Sequence, residues 1–441
     1  MIQVFYDFET SSLSLSGQVI SYCFLALSND GSLLQELSGL VTLTRCELPD
    51  LDALLITRLS IQHLHQYGKP EPTVALEIFT FLFNLIEAHG KIVLCGYNSN
   101  QFDLKFLRSL LIRHGLNPYF YGKIEYRDVL HWVRYLGMSH TQFPMQLHAD
   151  GYWTFSLEQM ARAHGVTTLP QTHNAIDDVQ LTIHLVSQLE TIYGTTWMTQ
   201  PTIQSPPTHS VWLKHRIGTP PERIQSIPVF PLFSHQNTLL LLQLDTIPFP
   251  FPDTLMECRS HIEYVNYKTG FLWASLAPTD VQSTYQPIID CIRSHPVLCN
   301  IDVESFFSLS PPTDIELAIT NFPLPAIHSL HHYIKQCHQD WESAPHILQS
   351  VHSVSQDNHH LTQLLHRYYL NHAPNINQSH LSHYLEYRHL TGGVDPKRNI
   401  ESLRKAISTA HRLLDDSTQD CLTHQIASGY LERVKVMVGL S

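Results

Sequence analysis

The first candidate for chemistry is the carboxylate pair in the string Tyr6-Asp7-Phe8-Glu9-Thr10, which follows a short apolar run. The run predicts a strand, and side chains alternate across a strand, so Asp7 and Glu9 project from the same face. Two adjacent carboxylates repel each other unless a cation lies between them, so the spacing is consistent with a metal site. Taken alone, the motif also fits a solvated turn that happens to carry two acids.

Two further motifs place acids at the ends of predicted elements. From Gly96 to Asp103, a strand runs into a loop and then a helix, where Asp103 could be an N-terminal acid stabilised by the helix dipole. In the string from His173 to Asp178, a helix beginning near Ala175 leaves the histidine in the preceding loop and the last aspartate in the first turn. Each motif alone fits ordinary surface polarity. Together they place four carboxylates and one histidine in a fixed order at the ends of elements of one α/β domain: Asp7, Glu9, Asp103, His173 and Asp178.

Alternating strand and helix signals position these residues. Strand signals, rich in β-branched and aromatic residues, cover 4–8, 19–25 and 92–95. Apolar residues at helical spacing cover 76–88, 102–114 and 175–189. The pattern predicts an α/β domain over residues 1–195.

The composition changes beyond this domain. Residues 199–231 contain seven prolines and predict a linker or a loop-rich entry into a new unit. Short apolar runs then predict a small β-rich region, and helical patterns follow at 361–369, 381–390 and 402–414. We therefore expect a second, β-rich domain at 203–335 and a third, helical domain at 340–441.

The cysteines and the apolar runs bear on location. The eight cysteines are scattered and contain no CxxC pair, which favours reduced thiols over a disulfide framework or a zinc ribbon. The first residues lack the basic and apolar regions of a signal peptide, and no apolar run is long enough to span a membrane. We expect a cytoplasmic protein without a membrane partner.

The order of the motifs resembles the DEDDh family of 3′→5′ exonucleases, and more closely the bacterial exonuclease I family. Five strings carry this resemblance: Tyr6–Thr10, Leu55–Ser60, Gly96–Asp103, Arg127–Leu130 and Phe155–Gly165. Weaker similarity continues at His295–Leu298 and Leu364–Tyr368. The resemblance implies an RNase H-like exonuclease domain with a mixed sheet, followed by an SH3-like β domain and a helical C-terminal domain.

The resemblance also implies an activity. The expected enzyme is a Mg²⁺-dependent 3′→5′ exodeoxyribonuclease that degrades single-stranded DNA to 5′-mononucleotides in DNA repair or recombination. Two Mg²⁺ ions, which Mn²⁺ could replace, would clamp the attacking and leaving oxygens from positions roughly 4 Å apart. By the resemblance, Asp7, Glu9 and Asp178 bind the central ion, Asp103 helps to hold the second, and His173 is the general base on the attacking water.

Substrate contacts follow from the same resemblance. The residues expected at the DNA are Glu9, Thr10, Leu59, Tyr121, Phe155 and Ser156. Stacking of an aromatic ring on a base would supply about 1–3 kcal/mol, although core packing is the alternative for Tyr121 and Phe155. Ser156 departs from the basic residue usual in the family, so Arg58, Arg127 or Arg162 could supply the phosphate contact instead.

Further basic residues could line a DNA groove, with an ordinary surface charge as the alternative for each. They are Lys214, Arg216, Arg223, Arg367, Arg388, Lys397 and Arg398. The net charge of −12 excludes a polybasic nucleic-acid coat but not a local groove reached through bound Mg²⁺. Thirteen of the 30 histidines fall in residues 328–389 without an HExxH motif, and we interpret them as surface composition.

Two alternative functions remain open. A DEDDh exoribonuclease would use the same chemistry, although its smaller members usually lack the later domains seen here. A catalytically weakened protein that binds single-stranded nucleic acid would be consistent with Ser156. The expected partner is single-stranded DNA, with a single-strand DNA-binding protein as a second candidate, and the expected state is a monomer.

Overall fold

The computed structural model describes residues 1–166, 173–199, 208, 210–235, 238–246, 261–266, 272–275, 285–295, 298, 322–347 and 359–439. Contacts divide the chain into two compact units. The first unit comprises Met1–Asp128, Leu169–Ile183 and Pro312–Ser441, and the second comprises Val129–Thr168 and His184–Pro311. Cys258, Cys299 and the first three prolines of the predicted linker lie outside the described residues.

The strands of the described residues are β1 Ile2–Thr10, β2 Val19–Leu27, β3 Leu33–Leu40, β4 Ile92–Gly96, β5 Ile124–Asp128, β6 Gln146–Leu147, β7 Trp153–Thr154, β8 Trp212–Ile217, β9 Ile224–His235, β10 Thr238–Gln243, β11 Ile262–Asn266 and β12 Leu272–Ser275. The helices are α1 Leu51–Thr57, α2 Ile61–Tyr67, α3 Glu71–His89, α4 Asp103–Arg113, α5 Val129–Ser139, α6 Leu157–Ala163, α7 Ala175–Tyr193, α8 Gln286–Ser294, α9 Leu324–Gln339, α10 His359–His372, α11 Gln378–His389, α12 Ile400–Asp415 and α13 Cys421–Val438. Each strand and helix predicted in the first 195 residues is confirmed, with ends that differ by a few residues.

The first unit is built on a five-stranded sheet in the order β3-β2-β1-β4-β5. Strands β1, β2 and β3 pair antiparallel, whereas β1 with β4 and β4 with β5 pair parallel, so the predicted mixed sheet is confirmed. Every residue of β2 is buried, which explains its almost continuous apolar sequence. The carboxyl end of β1 and the N-terminus of α4 meet at the same edge of this sheet.

The late helices belong to the same unit as this sheet. Leu54 of α1 and Leu64 of α2 share a hydrophobic cluster with Leu385 of α11 and Ile426 of α13. Near the end of α4, Ile112 packs in a second cluster with residues of α9 and α10. The three predicted helices at 361–369, 381–390 and 402–414 are confirmed as α10, α11 and α12. The domain boundaries predicted at 195–203 and 335–340 stay a prediction.

The second unit contains a five-stranded antiparallel sheet in the order β11-β10-β9-β8-β12. The prediction of a linker at 199–231 is wrong for the residues that form β8 and the first part of β9. Pro228 and Pro231 lie inside β9. Pro231 stands where the register against β10 shifts between Leu240 and Leu241. A proline has no N–H for the ladder and is tolerated at such an irregularity, so proline content alone was a poor guide here.

Two findings concern the remaining sequence features. Among the described residues, no helix combines the length and the apolar character needed to cross a membrane. The described cysteines are free thiols: Cys23, Cys46, Cys95 and Cys337 are buried, Cys291 is partly buried and Cys421 is exposed.

Candidate active site

The end of β1 presents two acids on one face. Asp7 and Glu9 are half-buried, whereas Phe8 between them is only 3% exposed. The Phe8 ring points into the core, where it packs edge-on against Tyr6 and Phe24. The alternation that the sequence predicted is therefore the alternation observed.

Asp103 is the first residue of α4 and is tied directly to this strand. Its Oδ1 accepts a hydrogen bond of 2.9 Å from the backbone N–H of Phe8, the residue between the two strand acids. The loop leading into α4 leaves β4 at Gly96, where a Cβ atom would meet the carbonyl oxygen of Tyr6 at 2.5 Å. Only glycine fits this close approach, which brings the N-terminus of α4 to the strand end.

His173 and Asp178 complete the group from the start of α7. The metal-ligating atoms of Glu9, His173 and Asp178 all lie within 4.8 Å of one another. Asp178 is 5% exposed in the first turn of the helix. The Asn174 side chain accepts the N–H of Ile176 at 3.0 Å and caps that turn. His173 has a left-handed backbone, with φ of 50°, so the chain turns sharply just before the helix begins.

The carboxyl groups of Asp7, Glu9, Asp103 and Asp178, here called the acidic cluster, disfavour one another's ionisation. Burial, with Asp178 and Asp103 nearby, raises the pKa of Glu9 to about 9. Burial raises the pKa of Asp103 to about 8, although the Phe8 N–H opposes the shift. Burial and the other three acids raise the pKa of Asp7 well above its usual range. A bound cation would reverse these shifts, and oxygen donors of this kind suit Mg²⁺ or Mn²⁺.

A further acid, Asp128, orders the loop that carries Asp103. Asp128 is 4% exposed at the end of β5, and its two oxygens accept the N–H groups of Asn98 at 2.9 Å and Asn100 at 3.0 Å. Sequence reasoning assigned it no role. The available signal was an acid that follows a strand, as in the motif of Asp7 and Glu9.

No protein-family model and no curated protein sequence matches the chain. Solved structures do: E. coli exonuclease I in complex with a dT13 oligonucleotide matches with a TM-score of 0.71 at 17% identity, covering 99% of this chain and 100% of that one. The moderately thermophilic exonuclease I of Methylocaldum szegediense matches with a TM-score of 0.71 at 15% identity, covering 99% of each chain. This chain has the exonuclease I fold.

Within the exonuclease I fold, the loop that follows Glu9 and Thr10 is held by a buried ion network. The Ser11 hydroxyl donates to Oε1 of Glu47 at 2.6 Å, and Arg388 of α11 donates to Oε2 at 2.9 Å and to the carbonyl of Ser16. Arg398 lies 3.6 Å from Oε1. We call Ser11, Glu47, Arg388 and Arg398 the Glu47 network. It makes late helices part of the support for the strand that carries Asp7 and Glu9.

The prediction that Arg388 and Arg398 line a DNA groove is therefore wrong, because both arginines neutralise Glu47. Other basic residues from that prediction also have internal partners. Lys214 is fully buried and pairs with Glu263, and Arg223 donates to four backbone carbonyls between Gly137 and Phe143. Arg367 is 5% exposed, whereas Arg216 and Lys397 are exposed as predicted for surface charges.

The three arginines considered in place of a basic residue at position 156 also have acidic partners. Arg58 pairs with Asp420, Arg127 with Glu125 at 2.8 Å and Arg162 with Glu158 at 2.7 Å. All three pairs are at least partly exposed, so they hold the guanidinium groups weakly.

Besides Glu9, three of the residues expected to contact DNA lie in the first unit. Thr10 is 6% exposed, and its hydroxyl donates to the Ser12 carbonyl at 2.7 Å. Leu59 lies between α1 and α2 and packs against the helical core. Tyr121 is 72% exposed in a short 3₁₀ turn, with a φ of 53°. Of these side chains, Tyr121 is the one whose exposure suits stacking on a base.

The other two expected contacts belong to the second unit. Phe155 is 9% exposed; its ring lies 6.4 Å from that of Phe143, and the guanidinium of Arg134 lies 6.0 Å from its centroid. Ser156 is exposed immediately before α6. Packing of Phe155 inside its unit matches the core alternative, and a substrate role for either residue stays a prediction.

Proposed function

We propose that this protein is a metal-dependent 3′→5′ exodeoxyribonuclease that releases 5′-mononucleotides from single-stranded DNA. The observation that carries the proposal is the convergence of Glu9, His173 and Asp178 within 4.8 Å, beside an Asp103 bonded to the same strand. The exonuclease I fold supports it, and the E. coli protein of that fold was solved with DNA oligonucleotides.

The acidic cluster would hold two Mg²⁺ ions, or Mn²⁺ in their place. Asp7, Glu9 and Asp178 would bind one ion and Asp103 would contribute to the second. When bound, such ions activate a water and stabilise the charge that develops on the phosphate. The raised pKa values of Asp7, Glu9 and Asp103 support this assignment, because these groups ionise together only when a cation compensates their charge.

His173 is proposed as the general base. The left-handed turn at His173 places its ring beside two of the acids, and an imidazole nitrogen can accept a proton from water. The ring nitrogen would accept a proton from the attacking water, while Glu9 and Asp178 would hold the metal ion beside it. Asp128 would act indirectly, by keeping the loop before Asp103 in one conformation.

By resemblance, we propose that Glu9, Thr10, Leu59 and Tyr121 contact DNA. Phe155 and Ser156 are proposed, on the same resemblance, as further DNA contacts. Stacking and apolar contact with the terminal bases would supply the part of the binding free energy that does not depend on the DNA sequence. By resemblance, we also propose a monomeric enzyme of bacterial DNA repair or recombination with an SH3-like second domain and a single-strand DNA-binding protein as a partner.

The test is digestion of a single-stranded DNA labelled at its 5′ end, and of a matched RNA, with Mg²⁺ or with EDTA. We expect DNA to shorten from its 3′ end only with the metal, and Asp178→Asn to lower kcat about a thousandfold or more. Asp177→Asn is the matched control, because it removes the neighbouring acid of the same helical turn and should retain activity.

Three outcomes would overturn the proposal. DNA that stays intact with the unmutated protein in both Mg²⁺ and Mn²⁺ would exclude an exonuclease, and tight DNA binding without cleavage would favour a binding protein. Faster shortening of the RNA would favour an exoribonuclease.

A further inference from the structure

A second group of metal-ligating side chains lies in the first unit, outside the acidic cluster. It consists of Glu71, His114 and His372, here called the histidine cluster, whose ligand atoms all lie within 4.8 Å of one another. The three residues come from the start of α3, the end of α4 and the end of α10. The interpretation of the histidines at 328–389 as surface composition is therefore wrong for half-buried His372, and also for His389, which is 3% exposed.

The histidine cluster is buried and its rings are held in place. Glu71 is 4% exposed and His114 7%, and Oε2 of Glu71 lies 3.2 Å from Nε2 of His114. The Tyr368 ring packs against both imidazoles, with centroids 5.7 Å from His114 and 4.5 Å from His372. The Tyr368 hydroxyl forms a hydrogen bond of 2.7 Å with Nε2 of His338. Ligands oriented by a packed outer layer are typical of metal sites.

Hydrogen-bonding capacity in this cluster is incompletely used. Within the described part of the chain, Oε1 of Glu71 and Nδ1 of His114 are buried and have no hydrogen-bond partner. Arg113 approaches Oε1 to 3.4 Å and neutralises the carboxylate without a well-aligned hydrogen bond. Buried polar atoms without a partner destabilise a fold, so the hydrogen bonds inside the cluster do not satisfy it completely.

We propose that Glu71, His114 and His372 bind one Zn²⁺ ion, or a cation of similar preference, and that this ion links α3 and α4 to α10. Two nitrogens and one oxygen favour Zn²⁺ or Co²⁺, whereas the all-oxygen acidic cluster favours Mg²⁺. The fourth position would be filled by solvent. Arg113 remains on Oε1 and orients the carboxylate, while Oε2 and the imidazoles face the ion.

The experiment uses the full chain carrying Asp7→Asn, Glu9→Gln, His173→Gln and Asp178→Asn, so that the candidate active site does not hold the added metal. After chelation and dialysis, Zn²⁺ or Co²⁺ alone is added, and bound metal is counted by elemental analysis. We expect one equivalent, a visible absorption band for bound Co²⁺, and a higher Tm with Zn²⁺ than with EDTA. Mg²⁺ should not produce these effects.

His372→Gln tests the ligand assignment in the same background, with His360→Ala, an exposed residue of the same helix, as its control. The glutamine variant should lose the bound equivalent and the Zn²⁺-dependent rise in Tm, while its Tm in EDTA stays near that of the parent. The control should keep both responses.

Two results would overturn the proposal. The first is a parent protein that holds no Zn²⁺ or Co²⁺, which needs no folded variant to establish. The second is a His372→Gln protein that still binds one equivalent. If the first result is found and His372→Gln also lowers the Tm in EDTA, the cluster is only a hydrogen-bonded link between helices. None of these readouts depends on nuclease activity, so the proposed function stands or fails separately.

Discussion

The acidic cluster and the histidine cluster both bury carboxylates in the first unit, but the pKa values of their carboxyl groups move in opposite directions. Burial and neighbouring acids raise the pKa of Glu9 to about 9. Burial also acts on Glu71, yet Arg113 and His114 lower its pKa to about 2. Depth in the protein is therefore not what separates the two sites. The sign of the neighbouring charge decides whether a buried carboxyl group keeps its proton.

This difference explains what each cluster requires. The acidic cluster brings like charges together and gains most from a doubly charged ion taken from solution. The histidine cluster already contains a guanidinium, so Glu71 ionises without a metal and the two imidazoles set the metal preference. The same unit can thus hold hard and borderline cations at separate sites.

The largest expected effect is a difference in stability between two single variants, one in each cluster. Glu71→Gln leaves Arg113 buried without its carboxylate and should lower the free energy of unfolding by about 3–5 kcal/mol. Glu9→Gln removes one of several repelling acids and should leave that free energy unchanged or raise it. Urea denaturation in EDTA at about pH 8 measures both. A loss of stability of equal size in the two variants would break the comparison.

The next effect is the dependence of stability on pH without divalent cations. Glu9 and Asp103 hold protons in the folded state up to pKa values of about 9 and 8, whereas in the unfolded chain they release them near pH 4. The stability due to these protons is complete below about pH 4 and is lost as pH rises to about 9, by about 1.4 kcal/mol per pH unit for each proton. Glu71, with its lowered pKa, contributes above about pH 4 and loses its contribution as pH falls toward 2.

Urea midpoints between about pH 6 and about pH 9, with and without Mg²⁺, check this prediction. Mg²⁺ should flatten the curve because the ion replaces the protons, and Glu9→Gln should make the slope in EDTA smaller. A stability that rises with pH across this range in EDTA would contradict the assigned electrostatics of the acidic cluster.

The smallest expected effect is on DNA affinity and comes from a residue outside both clusters. Tyr121→Ala should weaken binding of a short single-stranded DNA by about 1 kcal/mol, the lower end of the range for base stacking, because the ring is 72% exposed. Fluorescence anisotropy in Ca²⁺ would measure the affinity. Tyr67, which is 60% exposed on α2, gives the matched control Tyr67→Ala. Equal affinities for the two variants would remove Tyr121 from the proposed DNA contacts.

Local sequence patterns were enough for the core of the candidate site. The alternation around Phe8 placed Asp7 and Glu9 on one face of β1, and the start of α7 placed Asp178 in its first turn. These features depend on a few neighbouring residues, whose periodicity is visible in the chain. The approach of Asp103 to the Phe8 N–H depends instead on the packing of β1 against β4, and only the resemblance to exonuclease I anticipated it.

Contacts between distant parts of the chain could not be predicted in this way. Arg388 is a candidate for the DNA groove by resemblance, with a surface charge as the alternative, but its partner Glu47 lies 341 positions away in the sequence. His372 was likewise assigned to the surface, although a helix end carries it to Glu71 and His114. Nothing in the local composition distinguishes such a residue from an exposed one.

The Glu47 network has a consequence for ionic strength. The chain has 27 lysines and arginines, and Arg388 and Arg398 are committed to Glu47, as Lys214 is to Glu263. Cations held in this way do not displace condensed counterions from a DNA backbone. Fewer counterions released on binding means a shallower fall of log K with log salt concentration. An enzyme that holds DNA through stacked bases and bound divalent ions would then continue to work at salt concentrations that detach a polybasic protein.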